Sequence, residues 1–118
     1  MSKLTLLQYA ENFFDSNPQL RGKVEVHHAI EKGPNLEGRY PGLFTPEELA
    51  SVENLRGIPK TIEGNVIHRR KEHIRGMWNE FHKKYDRLGR IPTREEVLFQ
   101  VDEIDNLYGA IFNPKVAP

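Results

Sequence analysis

The sequence predicts an α+β fold, mostly helical, in which a short hairpin and one long helix form a small ββα core flanked by further helices. Three observations carry this. Ile67, Ile74, Met77, Trp78, Phe81, Tyr85 and Leu88 recur at helical spacing and predict a long helix over about 68–88. Lys23-Val24-Glu25-Val26-His27-His28 alternates polar and apolar side chains, the period of a strand. Thr45-Pro46-Glu47-Glu48 and Thr93-Arg94-Glu95-Glu96 both fit a capping box, in which Thr and the Glu three residues later satisfy each other's backbone N–H groups at a helix start.

Taken in order, Leu4, Leu7, Ala10 and Phe14 give the first amphipathic helix, over 4–14, and Asn17-Pro18 stops it. The strand at 23–28 follows. Gly33, Pro34, Gly38 and Pro41 mark 32–41 as a loop. Pro46 suits the first position of a short helix that ends near Val52. Asn54-Leu55-Arg56-Gly57-Ile58-Pro59 fits a second short strand closed by proline. Gly89 stands where the long helix needs a C-terminal cap. Val97, Val101, Ile104 and Tyr108 face the core from the last helix, with Gly109 at its end. A chain of 118 residues suits one domain. It divides into an N-terminal helix and lead-in (1–22), the ββα core (23–88), a C-terminal helix (91–112) and a tail (113–118).

Composition narrows the function. There is no cysteine, so disulfides and thiolate-bound zinc are excluded and any metal must sit on His, Asp, Glu, Asn or backbone oxygen. No apolar run approaches the ~20 residues that cross a bilayer. Met1-Ser2-Lys3 does not open a signal peptide. The formal charge is zero, but it is unevenly spread: residues 1–67 carry −2, residues 68–90 carry +5 and residues 91–118 carry −3. A basic segment in a neutral chain reads either as a solvated helix face or as a surface for phosphate.

Three places offer chemistry. His27 and His28 are consecutive on a strand, so their rings point to opposite faces unless the strand end bends. Left straight, His28 shares the face of Val24 and Val26 and is half-buried, while His27 is exposed. At a strand end both rings can approach one site, one binding a metal and the other acting as a base. Asn54 is a turn residue or an amide that pins the backbone of a metal loop. His68 falls at the predicted start of the basic helix, where free N–H groups favour phosphate, and Glu72, four residues on, shares its face and can reach the same metal. His73 is poorly placed for that metal, and His73 and His82 read as ordinary helix-surface or boundary residues.

The order strand His-His, then Asn, then a helix-start His resembles the HNH / endonuclease VII superfamily of nucleases with a ββα-metal motif. It is similar in particular to the nuclease domains that end bacterial polymorphic toxins of the Rhs and contact-dependent inhibition types. Val26-His27-His28-Ala29-Ile30, Tyr40-Pro41-Gly42-Leu43-Phe44-Thr45, Glu53-Asn54-Leu55-Arg56-Gly57-Ile58-Pro59, Ile67-His68-Arg69 and Ile74-Arg75 with Trp78-Asn79-Glu80-Phe81 carry the resemblance, over about residues 24–112. It implies that His27 and His68 bind one divalent metal, that His28 is the general base and that Asn54 holds the loop. The second helix ligand of colicin-like members falls on Glu72 here; either Glu72 completes the site, or the metal keeps extra waters, or His73 is recruited. Histidine ligands suit Zn²⁺, Mn²⁺ or Ni²⁺ better than Mg²⁺.

The implied activity is phosphodiester hydrolysis, on DNA with little sequence preference and with RNA also open. His28 takes a proton from water, and Arg69, Arg70 and Arg75 clamp phosphates. The resemblance also implies a cognate immunity protein, and delivery as the C-terminal part of a larger secreted toxin that acts in the target-cell cytoplasm. The residues leave other readings open: a metal-independent ribonuclease using the His pair, a non-enzymatic helical module that binds nucleic acid or protein, and an inhibitor or immunity protein, which would more often be acidic.

Overall fold

The computed structural model describes residues 8–36, 38–60 and 73–116. It is mostly helical with one small antiparallel sheet, the α+β class that the patterning predicts. Helix α1 (Tyr9–Ser16) and a 3₁₀ turn (Pro18–Leu20) lead into strand β1 (Val24–His28). Short helices α2 (Lys32–Leu36) and α3 (Pro46–Ala50) and a 3₁₀ turn (Val52–Asn54) connect β1 to β2 (Leu55–Pro59). Helices α4 (Ile74–Leu88) and α5 (Arg94–Tyr108) follow, then a 3₁₀ turn (Gly109–Ile111).

Both capping boxes form with both of their hydrogen bonds, Thr45 with Glu48 and Thr93 with Glu96. Gly89 closes α4 at φ 70°, a left-handed conformation that glycine adopts without a Cβ clash. Its N–H reaches Asp86 O while Arg90 N–H reaches Tyr85 O, the paired bonds of a Schellman motif.

The two strands pair with Val24 opposite Pro59, Val26 opposite Gly57 and His28 opposite Leu55. Opposed residues share a face. Val24 and Leu55 join Phe13 and Leu20 in a small cluster under α1, with Tyr9, Phe14 and Val26 against it. Ile58, from the other face, belongs to the main core with Ile74, Trp78, Phe81, Tyr85, Val97, Val101 and Phe112. The sheet is thus covered on both sides. That overturns the expected exposure of His27: the residue is only 6% exposed and its ring centroid lies 5.5 Å from that of Phe112.

Three further expectations change. Helix α4 begins at Ile74 rather than at 68, and His73 takes a non-helical N-cap conformation. The loop expected over 32–41 holds the short helix α2. The tail expected after Phe112 is docked: Asn113 N–H donates to Gly57 O at 2.9 Å and Val116 N–H to Gly109 O at 3.0 Å. A Cβ at Gly57 would meet Asn113 O at 2.2 Å, so only glycine lets the chain end lie against β2.

Candidate active site

A cavity of about 490 Å³ runs beside β1 and the first turn of α4. Glu25, Val26, His27 and His28 all line it, so residues from both strand faces reach it and the cavity follows the outer edge of β1. Tyr9, Glu31, Ile58, Ile74, Arg75 and Trp78 complete the wall. Both members of the His pair therefore contribute to the wall of one cavity.

The rings are held differently. Both nitrogens of His27 and Nε2 of His28 are shielded from solvent. His28 packs on Tyr9, ring centroids 4.4 Å apart, and stays half-buried. His27 is fixed from behind by Phe112 and sits opposite Arg56 across the sheet. Arg56 forms a two-pronged pair with Asp105 of α5, each side chain 11% exposed, which ties the sheet to that helix.

Asn54 does not face the cavity. It is 5% exposed and bonds to the backbone that leaves β1. Its Oδ1 accepts from Ile30 N–H at 2.7 Å, and its Nδ2 donates to Leu49 O at 3.0 Å and Ile30 O at 3.3 Å. Its own carbonyl accepts from Ala29 N–H at 2.7 Å. One buried amide thus fixes the loop immediately after the His pair.

Of the other sequence-derived residues, Arg75 lines the cavity from the first turn of α4. His68, Arg69, Arg70 and Glu72 lie outside the described residues. His73 does not join the cavity; its Nδ1 lies 3.2 Å from the Tyr108 hydroxyl. Among the described residues no three His, Asp or Glu side chains converge to hold a metal. They supply His27 as one buried imidazole, not a ligand set.

Sequence reasoning missed the back wall. Glu31, in the loop that Asn54 fixes, contacts His82 Nε2 through Oε1 at 2.7 Å, and His82 Nδ1 lies 3.2 Å from the Tyr40 hydroxyl. His82 is 8% exposed and stacks on Trp78 at 22° between ring planes. It is a buried polar residue, not a surface one. The signal was its spacing: four residues after Trp78 and beside Phe81, it falls on the apolar stripe. Burial, then the charge of Glu31, pushes the Tyr40 hydroxyl up from its ordinary value, so Tyr40 stays a proton donor.

Comparison with family models, with curated proteins and with solved structures finds no match to this chain. No helix among the described residues is long and apolar enough to cross a membrane.

Proposed function

We propose that this chain is a metal-dependent endonuclease of the HNH type that hydrolyses phosphodiester bonds, chiefly in DNA and with little sequence preference. The observation that carries the reading is one cavity lined by His27 and His28 from the end of β1 and by Arg75 from the start of α4. Arg75 offers a guanidinium to the scissile or flanking phosphate. The first turn of α4 holds no carboxylate, and the positive end of a helix favours an anion. His28, half-buried beside Tyr9, takes the proton from the attacking water. Asn54 keeps the residues after His28 in place.

His27, with His68 and Glu72, would hold the divalent ion, which when bound supplies Lewis-acid stabilisation of the phosphate and the leaving oxygen. Arg69 and Arg70 add phosphate contacts in the same proposal. The biological setting proposed is an antibacterial toxin domain, delivered as part of a larger secreted protein into a target cell and neutralised by a cognate immunity protein.

A second reading, a metal-independent ribonuclease, is favoured by the two imidazoles in one cavity, the composition of an acid–base pair. One assay separates them: the chain incubated with plasmid DNA and with tRNA, with Mn²⁺ or with EDTA. Nicking of DNA that EDTA abolishes is the expected result. Cleavage of tRNA that survives EDTA selects the ribonuclease. Turnover of neither nucleic acid at high protein concentration removes both in favour of a binding module.

A further inference from the structure

We propose that a recess beside the His pair is a base-binding subsite, in which the Glu31 carboxylate selects an unpaired guanine near the cleaved phosphate. This deepens the nuclease reading and rests on it, adding a preference at one position to an otherwise unspecific cut.

The recess, about 330 Å³, adjoins the main cavity: Tyr9, Val26, His27, His28 and Glu31 line both. Lys32, Gly33 and Pro34 complete its wall. Tyr9 and Pro34 give it ring surface of the kind that packs on a base, and the Lys32 ammonium lies 5.3 Å from the centre of the Tyr9 ring. Arg75 lines the main cavity and not the recess. The joined space therefore offers a guanidinium on one side and a carboxylate on the other. A nucleotide has the complementary polarity: an anionic phosphate, and a base whose edge carries N–H donors.

Buried polar groups hold Glu31 in place. Asn54 bonds to Ile30, immediately before it. Asn35, 3% exposed, donates from Nδ2 to Glu31 O at 2.9 Å and accepts at Oδ1 from Phe44 N–H at 3.0 Å. His82 Nε2–H donates to Glu31 Oε1 at 2.7 Å, while Tyr40 O–H donates to His82 Nδ1. In that arrangement the imidazole is neutral and Glu31 is a charged carboxylate. Its side chain is 33% exposed, and among the described residues its side-chain hydrogen bond falls on Oε1 alone. The backbone and one oxygen are fixed from behind, and the rest of the accepting capacity is left for a ligand.

A carboxylate accepts hydrogen bonds, donates none and repels phosphate. What it selects is an edge of donors. Guanine presents two side by side, N1–H and the 2-amino group. Adenine and cytosine each set an amino group beside a ring nitrogen that only accepts, and thymine sets one N–H between two carbonyls, so each turns a lone pair towards the carboxylate. In a duplex these edges are paired, so the base enters from a single strand or is turned out of the stack.

In the test, single-stranded DNA of mixed sequence is cut with Mn²⁺ and the new ends are sequenced. Guanine should be enriched at least about fivefold at one fixed position from the cut. Glu31→Gln, which keeps an acceptor for His82 but loses the charge, should bring that enrichment to within about twofold of none. No enrichment by the wild type, or the same enrichment in Glu31→Gln, overturns the subsite and leaves the nuclease reading standing. A second measurement needs no turnover: Trp78 emission is followed in EDTA as short oligothymidylates with one central guanine, hypoxanthine or adenine are added. Guanine should bind at least about fivefold more tightly than adenine or than hypoxanthine, which lacks only the 2-amino group; equal affinities overturn the subsite. If no oligonucleotide binds in EDTA, cleavage rates of the same set with Mn²⁺ carry the comparison. Circular dichroism checks folding, and if Glu31→Gln fails to fold, the guanine-to-hypoxanthine ratio decides. A wild type that cuts nothing yet keeps the binding preference removes the nuclease and leaves the subsite; one that neither cuts nor discriminates removes both.

Discussion

The cavity beside β1 and the pairing of α4 with α5 are stabilised in opposite ways. Polar groups around the sheet are buried or partly buried and join distant parts of the chain: Asn54 to Ile30 across 24 positions, Arg56 to Asp105 across 49, His82 to Glu31 across 51. Those at the helix ends are exposed and mostly local: Thr93 with Glu96 across 3 positions and Arg90 with Glu96 across 6. Arg94 with Glu48 is long in sequence yet exposed. Water can replace an exposed partner; it cannot reach a buried one. The proposed site therefore lies beside the contacts that are hardest to replace.

That contrast predicts a steep order of mutational effects. On the nuclease proposal, His28→Ala should lower plasmid nicking by about 10²- to 10⁴-fold with an unchanged circular dichroism spectrum, since it removes the proposed base. Full cleavage by a folded variant would remove His28 from the mechanism. Arg56→Ala should cost about 3–5 kcal/mol in urea unfolding, because Asp105 is left charged and buried. A cost below about 1 kcal/mol would mean that the pair behaves as a surface pair. Asn54→Ala should cost about 2–3 kcal/mol, with Ile30 N–H and Leu49 O left without the amide. It should also slow cleavage, because the loop after His28 loses its tie.

At the helix ends the effects shrink. Thr93→Ala should cost about 1 kcal/mol, the usual value of an N-cap, in the same unfolding experiment. Glu48 gives the smallest effect and the pH dependence. The Arg94 guanidinium, helped by Thr45 N–H, holds its carboxyl at about 2, against 4.5 unperturbed. Between those values the unfolded chain binds the extra proton and the folded chain does not, so acid favours unfolding. The contribution is complete above about 4.5 and fades as pH falls towards 2. Both side chains are more than a third exposed, so a double-mutant cycle with Arg94 should give less than about 1 kcal/mol at neutral pH. A larger coupling at the helix ends than at Arg56–Asp105 would reverse the comparison.

The same contrast explains what the sequence made legible. A capping box, a glycine cap and a helical stripe are local patterns, and Thr45, Thr93, Gly89 and the α4 apolar face all follow from them. The β1 alternation located the strand and the His pair. It could not reveal that both sheet faces are covered, so the burial of His27 was missed. The start of α4 was placed too early, because Ile67 continues the apolar spacing although the helix begins at Ile74. Glu31 and Tyr40 are unremarkable in sequence and His82 shows only its place on the apolar stripe; only folding brings residues 31, 40 and 82 together.

The Asn54 tie also sets a sequence of events. β1 and β2 are joined by residues 29–54, far longer than a tight hairpin, so their pairing waits on closure of that connection. His28 meets Leu55, and Ile30 meets Asn54, only when it has closed. The chain carries a single tryptophan, Trp78, which lines the cavity and stacks on His82. Its fluorescence is a built-in clock for that closure. In stopped-flow refolding, far-ultraviolet dichroism should report α4 and α5 first and Trp78 emission should settle afterwards, timing the moment at which the two imidazoles become a pair.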